Sequence, residues 1–119
     1  MSSHFREAGA MRHLRTRERS LLKHLMQKGG IGSADEQWLD AVVVADLDDG
    51  GMGSFRILEP SSRGYDRVLS EVEFNDVDGT KVLASLYVDA DAAPCEVDVW
   101  KVDFSPLRTL PMFDDRESS

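Results

Sequence analysis

The sequence predicts an α+β fold in which an N-terminal helix packs on a five-stranded, mostly antiparallel meander sheet. Two observations lead to this prediction. Apolar residues recur at helical spacing early in the chain, and they alternate with polar residues over most of the remainder. Short turns rich in Asp and Gly join the predicted strands, and they leave no room for the crossover helices of a parallel sheet. We therefore expect mainly antiparallel pairing.

The composition indicates one globular domain. The chain has 119 residues, of which 41% are hydrophobic and 30% charged, and this is enough to bury a core without disulfides. We expect a flexible leader at 1–11, a single α+β domain at 12–113 and a polar C-terminal tail at 114–119. Cys95 is the only cysteine, and no apolar run reaches signal-peptide or membrane-spanning length, so a cytoplasmic location is expected.

The predicted helix begins after Thr16, a plausible N-cap, and ends at the Gly29-Gly30 pair. Its apolar face consists of Leu21, Leu22, Leu25 and Met26 at spacings of three and four residues. Ser33 and Glu36 then have the spacing of a capping box, which predicts a short helical turn over 35–38.

Five strands follow, at about 41–47, 52–58, 67–75, 80–88 and 94–104. In the third strand, Val68, Val72 and Phe74 are assigned to one face. We expect one core beneath the helix, formed by Leu21, Leu25, Val72, Phe74, Val82, Leu86, Val97 and Val99.

The last predicted strand is apolar on both faces. Cys95, Val97 and Val99 point to one side, whereas Trp100, Val102 and Phe104 point to the other. Such a strand is usually central in its sheet or contains a bulge. The apolar segment 107–113 either folds back and seals this second face, which would make Trp100 a core residue, or leaves Trp100 and Phe104 partly exposed.

The net charge of −8 is unevenly distributed. Residues 1–28 carry seven basic and two acidic side chains, and residues 29–119 carry seven basic and twenty acidic ones. An acidic body repels phosphate groups, so we expect neither nucleic acid nor membrane as a partner, and the basic segment is interpreted as a solvated helix face. The acidity either attracts a basic protein or only confers solubility.

No candidate site supports an activity strongly. Asp76-Val77-Asp78-Gly79 resembles the start of a calcium loop, but the remaining ligand positions do not follow, so a hairpin turn is predicted. The corner formed by Asp46, Asp48 and Asp49 beside Gly50, Gly51 and Gly53 is too acidic for a phosphate loop, and those glycines are expected to supply positive φ angles.

The enzyme-like patterns are weaker still. Asp89, Glu96, Asp98 and Lys101 resemble a nuclease series, but the lysine has the wrong spacing. His4, His13 and His24 all precede the β region, so none is expected beside Cys95, which is interpreted as a small core residue. We therefore expect no catalytic, metal-binding or cofactor-binding residue and no cofactor.

Four segments resemble a family of short bacterial domains of unknown function: RHLRTRERSLLKHLM, DLDDGGMGSFRI, EFNDVDGTKVLASLYVD and EVDVWKVDFSPL. The resemblance covers about residues 12–111, and its most distinctive motifs lie at 49–54 and 98–107. It implies a domain of this size and a bacterial source, and it transfers no activity. In size and acidity the chain is also similar to immunity proteins that neutralise toxins of competing bacteria.

The expected function is that of a non-enzymatic cytosolic protein-binding module, in its most concrete form an immunity protein that neutralises a cationic toxin domain. A structural or regulatory homo-oligomer, such as a homodimer, is the alternative, and a small-ligand binder or enzyme using the acidic turns is a third hypothesis. The candidate partner surface comprises aromatic anchors and a charged surround: Trp100, Phe104, Glu71, Glu73, Glu96 and Asp98.

Overall fold

Antiparallel strand pairing dominates the computed structural model, which describes residues 7–31, 36–60 and 63–113. The strands in these ranges form one six-stranded sheet in the order β1-β2-β3-β6-β5-β4. The elements in chain order are β1 (Glu7–His13), α1 (Thr16–Lys28), α2 (Glu36–Ala41), β2 (Val43–Leu47), β3 (Phe55–Glu59), β4 (Arg67–Asn75), β5 (Lys81–Val88) and β6 (Pro94–Lys101).

The α+β class and the antiparallel pairing are confirmed, but the predicted five-stranded meander is wrong. The last strand, β6, does not lie at an edge, because it pairs with β5 on one side and with β3 on the other. A sixth strand, β1, pairs with β2. The central position of β6 agrees with one of the two expectations for this strand, but its second side carries Glu96, Asp98 and Trp100 and is not covered by the helices.

The predicted leader at 1–11 is wrong for residues 7–11, which belong to β1. The strand was missed because it is irregular: Gly9 has a φ of 83°, and the register shifts between Ala8 and Arg12. An irregularity of this kind interrupts the alternation by which strands are recognised. The rest of the leader, the tail at 114–119 and His4 lie outside the described residues.

The first helix agrees with the prediction in extent, but its N-cap is Arg15 and not Thr16. The Arg15 backbone N–H donates to the Glu18 side chain at 2.8 Å, which satisfies one of the free donors at the helix start. At the other end, Gly29 donates its N–H to Leu25 O at 3.0 Å. The short helix α2 begins at Glu36, and the predicted capping residue Ser33 lies outside the described residues.

The predicted core is confirmed. The fully buried leucines of α1 pack on the inner side chains of β5 and β6, and Val72 and Phe74 of β4 lie at the margin of the same cluster. Both helices and the C-terminal segment contribute apolar residues to this cluster. They therefore cover the same side of the sheet.

Strand β4 differs from its predicted facing at one point. The register shifts between Val68 and Ser70, so that Val68 is 39% exposed and Leu69 packs against the core instead. Gly29 makes this possible, because a Cβ there would lie 2.4 Å from the Leu69 Cδ2 atom. The assignment of Val68 to the core face is therefore wrong.

The chain turns sharply after β6, which ends at Lys101 and not at Phe104. Phe104 donates its backbone N–H to Lys101 O at 2.8 Å and has a φ of 64°. The segment 105–113 then runs along the helix side, where Leu107, Leu110 and Phe113 pack on the core. Of the two alternatives for 107–113, sealing of the second face of β6 is therefore excluded.

Candidate functional site

The side of the sheet away from the helices carries most of the predicted partner surface. Side chains alternate between faces along a strand, so the neighbours of the buried core residues point to this second side. We call it the acidic face and define it by Arg56, Glu71, Glu73, Leu83, Ser85, Tyr87, Glu96, Asp98 and Trp100.

Cross-strand register arranges these side chains in rows. One row joins Glu71, Ser85 and Asp98, because Ser85 lies opposite both carboxylates. A second row joins Glu73, Leu83 and Trp100. The predicted surface residues Glu71, Glu73, Asp98 and Trp100 are thus brought together although they come from two strands far apart in sequence.

The aromatic residues of the prediction form a pair at the end of this face. The rings of Trp100 and Phe104 lie 6.1 Å apart, centroid to centroid, at 60°. Trp100 is 39% exposed and Phe104 is 68% exposed. Of the two outcomes considered for the C-terminal segment, the structure has the one that leaves the aromatic pair accessible.

Glu96 differs from the prediction, because its side chain is completely buried. The Tyr65 hydroxyl donates to Glu96 Oε1, and the Arg56 Nε atom lies 3.5 Å from the same oxygen. Arg56 also donates to the Tyr65 hydroxyl at 3.0 Å and pairs with Glu7 at 3.2 Å. Glu96 therefore belongs to a polar cluster beneath the surface and not to a charged surround.

Sequence reasoning missed Tyr65 and Arg56. The position of Arg56 on the acidic face could have been predicted, because Arg56 lies between the core residues Phe55 and Ile57 in its strand and so points to the opposite side of the sheet. Tyr65 lies in the loop before β4, where no periodicity assigns its direction.

The environment raises the pKa values of several acidic groups on and beneath the acidic face. Burial raises the pKa of Glu96 above its ordinary value. Burial, assisted by the negative charge of Asp49, raises the pKa of Asp98. Burial and the adjacent Glu96 carboxylate also raise the pKa of Tyr65 to about 12. The face therefore holds carboxylates whose charge is poorly compensated.

Replacement of Glu96 by glutamine is expected to change the pH dependence of stability. Because the native pKa of Glu96 is raised, the proton binds the folded state more tightly than the unfolded one. The resulting stabilisation is complete below the ordinary pKa of 4.5 and is lost as the pH rises through the native pKa. Urea unfolding of both proteins at several pH values should show Glu96→Gln gaining stability relative to the wild type towards neutral pH.

Glu73→Gln is the matched control for this measurement, because Glu73 is an exposed carboxylate on the same face. Its stability relative to the wild type should vary less with pH than that of Glu96→Gln. A difference between wild type and Glu96→Gln that is the same at every pH would contradict the assignment.

The Asp76–Gly79 segment is a hairpin turn, as predicted, and its carboxylates bind a lysine. The fully buried Lys101 donates to Asp76 at 2.8 Å and to Asp78 at 2.7 Å. Asp76 also accepts the backbone N–H groups of Arg108 at 2.7 Å and Thr109 at 3.0 Å. We call this group the Asp76–Lys101 anchor, since it fastens the C-terminal segment to the β4–β5 turn.

The glycine-rich corner before β3 has the predicted positive φ angles, 77° at Gly50 and 85° at Gly51. The buried Asp49 accepts the backbone N–H groups of Met52 and Ser54, each at 3.0 Å. Leu107 donates its N–H to Gly51 O at 3.0 Å. The two distinctive sequence motifs therefore contact each other near the Asp76–Lys101 anchor.

The nuclease-like series is not brought together. Asp89 accepts backbone N–H groups of its own turn and of Arg63, and Lys101 is bound to Asp76 on the other side of the sheet from Asp98. Cys95 is buried, in agreement with its interpretation as a small packing residue. His13 lies 3.1 Å from Val42 O, and His24 packs against Phe113.

The fold and this face define a small α+β domain whose helices cover one side of an antiparallel sheet. The chain belongs to the family described as Domain of unknown function (DUF6984), whose family model matches residues 11–111. The resemblance to a family of unknown function is thereby confirmed. Neither a curated protein nor a solved structure matches the chain. Within the described ranges, none of the helices has the length and apolarity needed to cross a membrane.

Proposed function

We propose that this domain is a non-enzymatic protein-binding module that docks a basic partner protein on the acidic face, with Trp100 and Phe104 as anchors. The observation that supports the proposal best is the exposed aromatic pair beside the row of carboxylates. Binding energy at protein interfaces concentrates on a few large aromatic side chains. Complementary charge around them raises association rate and specificity.

The backbone at Phe104 supports the choice of anchor. A non-glycine residue with a φ of 64° is held in a conformation that is intrinsically unfavourable, and such positions concentrate at functional sites. Here the unfavourable conformation places a large apolar side chain in solvent, 68% exposed.

The charge distribution supports a partner that is both different from this chain and basic. Along the acidic face, the described cations Arg56 and Lys81 are already paired with Glu7 and Glu73, respectively. Two copies facing each other through Glu71 and Asp98 would repel, so a homodimer through this face is disfavoured. A cationic toxin domain in the bacterial cytoplasm, neutralised by this protein, is the most concrete form of the proposal.

The proposal is tested with a partner identified by co-purification from the native host and mass spectrometry. Association and dissociation rates are then measured with purified proteins. Truncating Trp100 and Phe104 together to alanine should weaken binding by about 2 kcal/mol or more, roughly 30-fold. Reversing Glu71 and Glu73 to lysine should slow association at low salt and flatten its dependence on salt.

The matched control reverses Glu36 and Asp40 of α2 to lysine. These carboxylates are exposed on the helix side, and the variant changes the net charge by the same amount. It should alter association less than the change at Glu71 and Glu73. Unchanged affinity in the Trp100 and Phe104 variant, with a folded protein confirmed by circular dichroism, would contradict the proposed surface.

A further inference from the structure

The edge strand β4 has no strand partner on its outer side among the described residues. It pairs with β5 in an unbroken register from Ser70 to Asn75. The opposite edge, β1, is irregular, because its register shifts and Gly9 has a positive φ. A regular edge can accept a further strand, whereas an irregular edge resists this pairing.

The hydrogen bond at the end of β4 shows which of its backbone groups point outward. Asp76 donates its N–H to Thr80 O at 2.9 Å, so this position is bonded towards β5. Positions bonded to the neighbouring strand alternate with positions that are not bonded to it along an antiparallel pair. Glu71, Glu73 and Asn75 are each separated from Asp76 by an odd number of residues, so their N–H and C=O groups point outward.

A lysine at the end of α1 agrees with this assignment. The Lys28 ammonium donates to Glu71 O, which requires that this carbonyl point away from β5. Among the described residues, no other side chain is bonded to the backbone of Glu71, Glu73 or Asn75. The outer edge is therefore partly protected at Glu71 and open from Glu73 onward.

The side chains along this edge define the segment that would fit it. Glu71 and Glu73 point to the acidic face, whereas Val72 and Phe74 lie at the margin of the core on the other side. An added antiparallel strand places its side chains directly opposite these residues, and opposite charges in such pairs are stabilising. A shallow pocket of about 200 Å³ at the end of the edge is lined by Glu73, Phe74, Asn75 and Lys81.

We propose that β4 accepts an extended segment of the partner protein as a further strand, with Lys or Arg opposite Glu71 and Glu73 and apolar residues between them. The inference rests on the proposed function and specifies how the partner is held. The added strand would continue the acidic face, where Glu73 already shares a row with Trp100. In this mode of recognition, main-chain hydrogen bonds supply affinity, and pockets for alternate side chains supply specificity.

The charges of the edge favour a different chain over a second copy. Two β4 edges paired antiparallel about Glu71, Val72 or Glu73 place a glutamate opposite a glutamate, and like charges in direct opposition are destabilising. A basic segment forms favourable pairs at the same positions. Glu73 is still 57% exposed beside its ion pair with Lys81, so its carboxylate can meet a second cation.

The test is an NMR titration of the isotopically labelled full chain with the peptide acetyl-Lys-Val-Lys-Val-Lys-amide. The matched probe carries a methyl group on the backbone nitrogen of the central lysine, so it keeps every charge and side chain but loses the central donor. The unmodified peptide should shift the amide signals of Glu71, Glu73 and Asn75, with a roughly millimolar Kd about ten-fold tighter than that of the methylated peptide.

Two variants at one position separate the backbone contribution from the charge. Glu73→Pro removes the outward N–H and no bond to β5, since edge strands accept proline where the N–H faces solvent. Glu73→Gln removes the same charge and keeps the N–H. Glu73→Pro should bind the peptide about ten-fold more weakly than Glu73→Gln. Asp40→Asn, which changes an exposed carboxylate of α2, should leave binding unchanged.

The inference is overturned by equal binding of the two peptides, by the absence of a saturable shift, or by equal binding to Glu73→Pro and Glu73→Gln. Concentration-dependent shifts of the Glu73 and Asn75 amides in the free protein would assign the edge to a second copy instead. All these outcomes leave the proposed function intact if the Trp100 and Phe104 variant still loses its protein partner. Peptide binding at β4 together with unchanged partner affinity in that variant would refute the proposed anchors alone.

Discussion

Replacing Asp76 with alanine is expected to lower the free energy of unfolding by about 3–5 kcal/mol, the usual cost of removing one partner of a buried ion pair. The change leaves the fully buried Lys101 ammonium with Asp78 as its remaining acidic partner. It also removes the acceptor for the Arg108 and Thr109 backbone N–H groups. The C-terminal segment should loosen as a result.

Urea unfolding at neutral pH provides the measurement. Adding Lys101→Met to Asp76→Ala removes the buried ammonium that has lost one of its two carboxylate partners, so the double variant should be more stable than Asp76→Ala alone. The control is Asp103→Ala, which should cost less than about 1 kcal/mol because Asp103 is exposed and, among the described residues, its carboxylate accepts hydrogen bonds from the neighbouring Ser105. A loss below about 1 kcal/mol for Asp76→Ala would show that the anchor contributes little.

The anchor should also make stability sensitive to acid. Burial pushes the pKa of Asp76 upward, but hydrogen bonds from Lys101 and from three backbone N–H groups outweigh it and lower the pKa well below its ordinary value. The associated stabilisation is therefore present above the ordinary pKa of 3.8 and is lost as the pH falls towards the native pKa. The wild type should lose its advantage over Asp76→Ala in acid.

Truncating Leu25 or Leu86 to alanine should cost about 2–5 kcal/mol, the range for buried leucines that leave a cavity. Both side chains are completely buried, and both belong to the core cluster between α1 and the sheet. Leu83→Ala is the matched control, since Leu83 lies on the acidic face of the same strand. In thermal and urea unfolding, Leu25→Ala and Leu86→Ala should each lose more stability than Leu83→Ala. Losses below about 1 kcal/mol at both core positions would mean that the helix packs elsewhere.

The features that the sequence predicted correctly depend on local patterns. The α1 leucines repeat at helical spacing, and the two hairpins alternate over most of their length and have acidic, glycine-containing turns. Both patterns involve neighbouring residues, so they can be recognised without tertiary information. The eight predicted core residues follow from the same periodicities.

The features that were wrong depend on irregular backbone or on distant contacts. Val68 changes face at a register shift, and Phe104 turns the chain through a left-handed conformation that its residue type rarely adopts. The pairing of β6 with β3 joins segments about forty residues apart, and no local pattern encodes it.

The candidate site was predictable in part. Alternation places Glu71, Glu73, Asp98 and Trp100 on one face, but the burial of Glu96 depends on Tyr65 from a loop. Lys101 had a usable signal, since alternation places it on the same side as Val97 and Val99. A lysine on an apolar face requires a buried carboxylate partner, and Asp76 supplies it.

The strand order also determines when the domain can become complete during synthesis. Strands β1 to β3 form one set of neighbours and β4 with β5 another, and β6, the last of the described strands along the chain, joins the two sets. On the ribosome, both sets must wait for β6 with unpaired strand edges, where chaperones or aggregation can act. We therefore expect cooperative closure of the sheet only after residues 94–101 have left the exit tunnel.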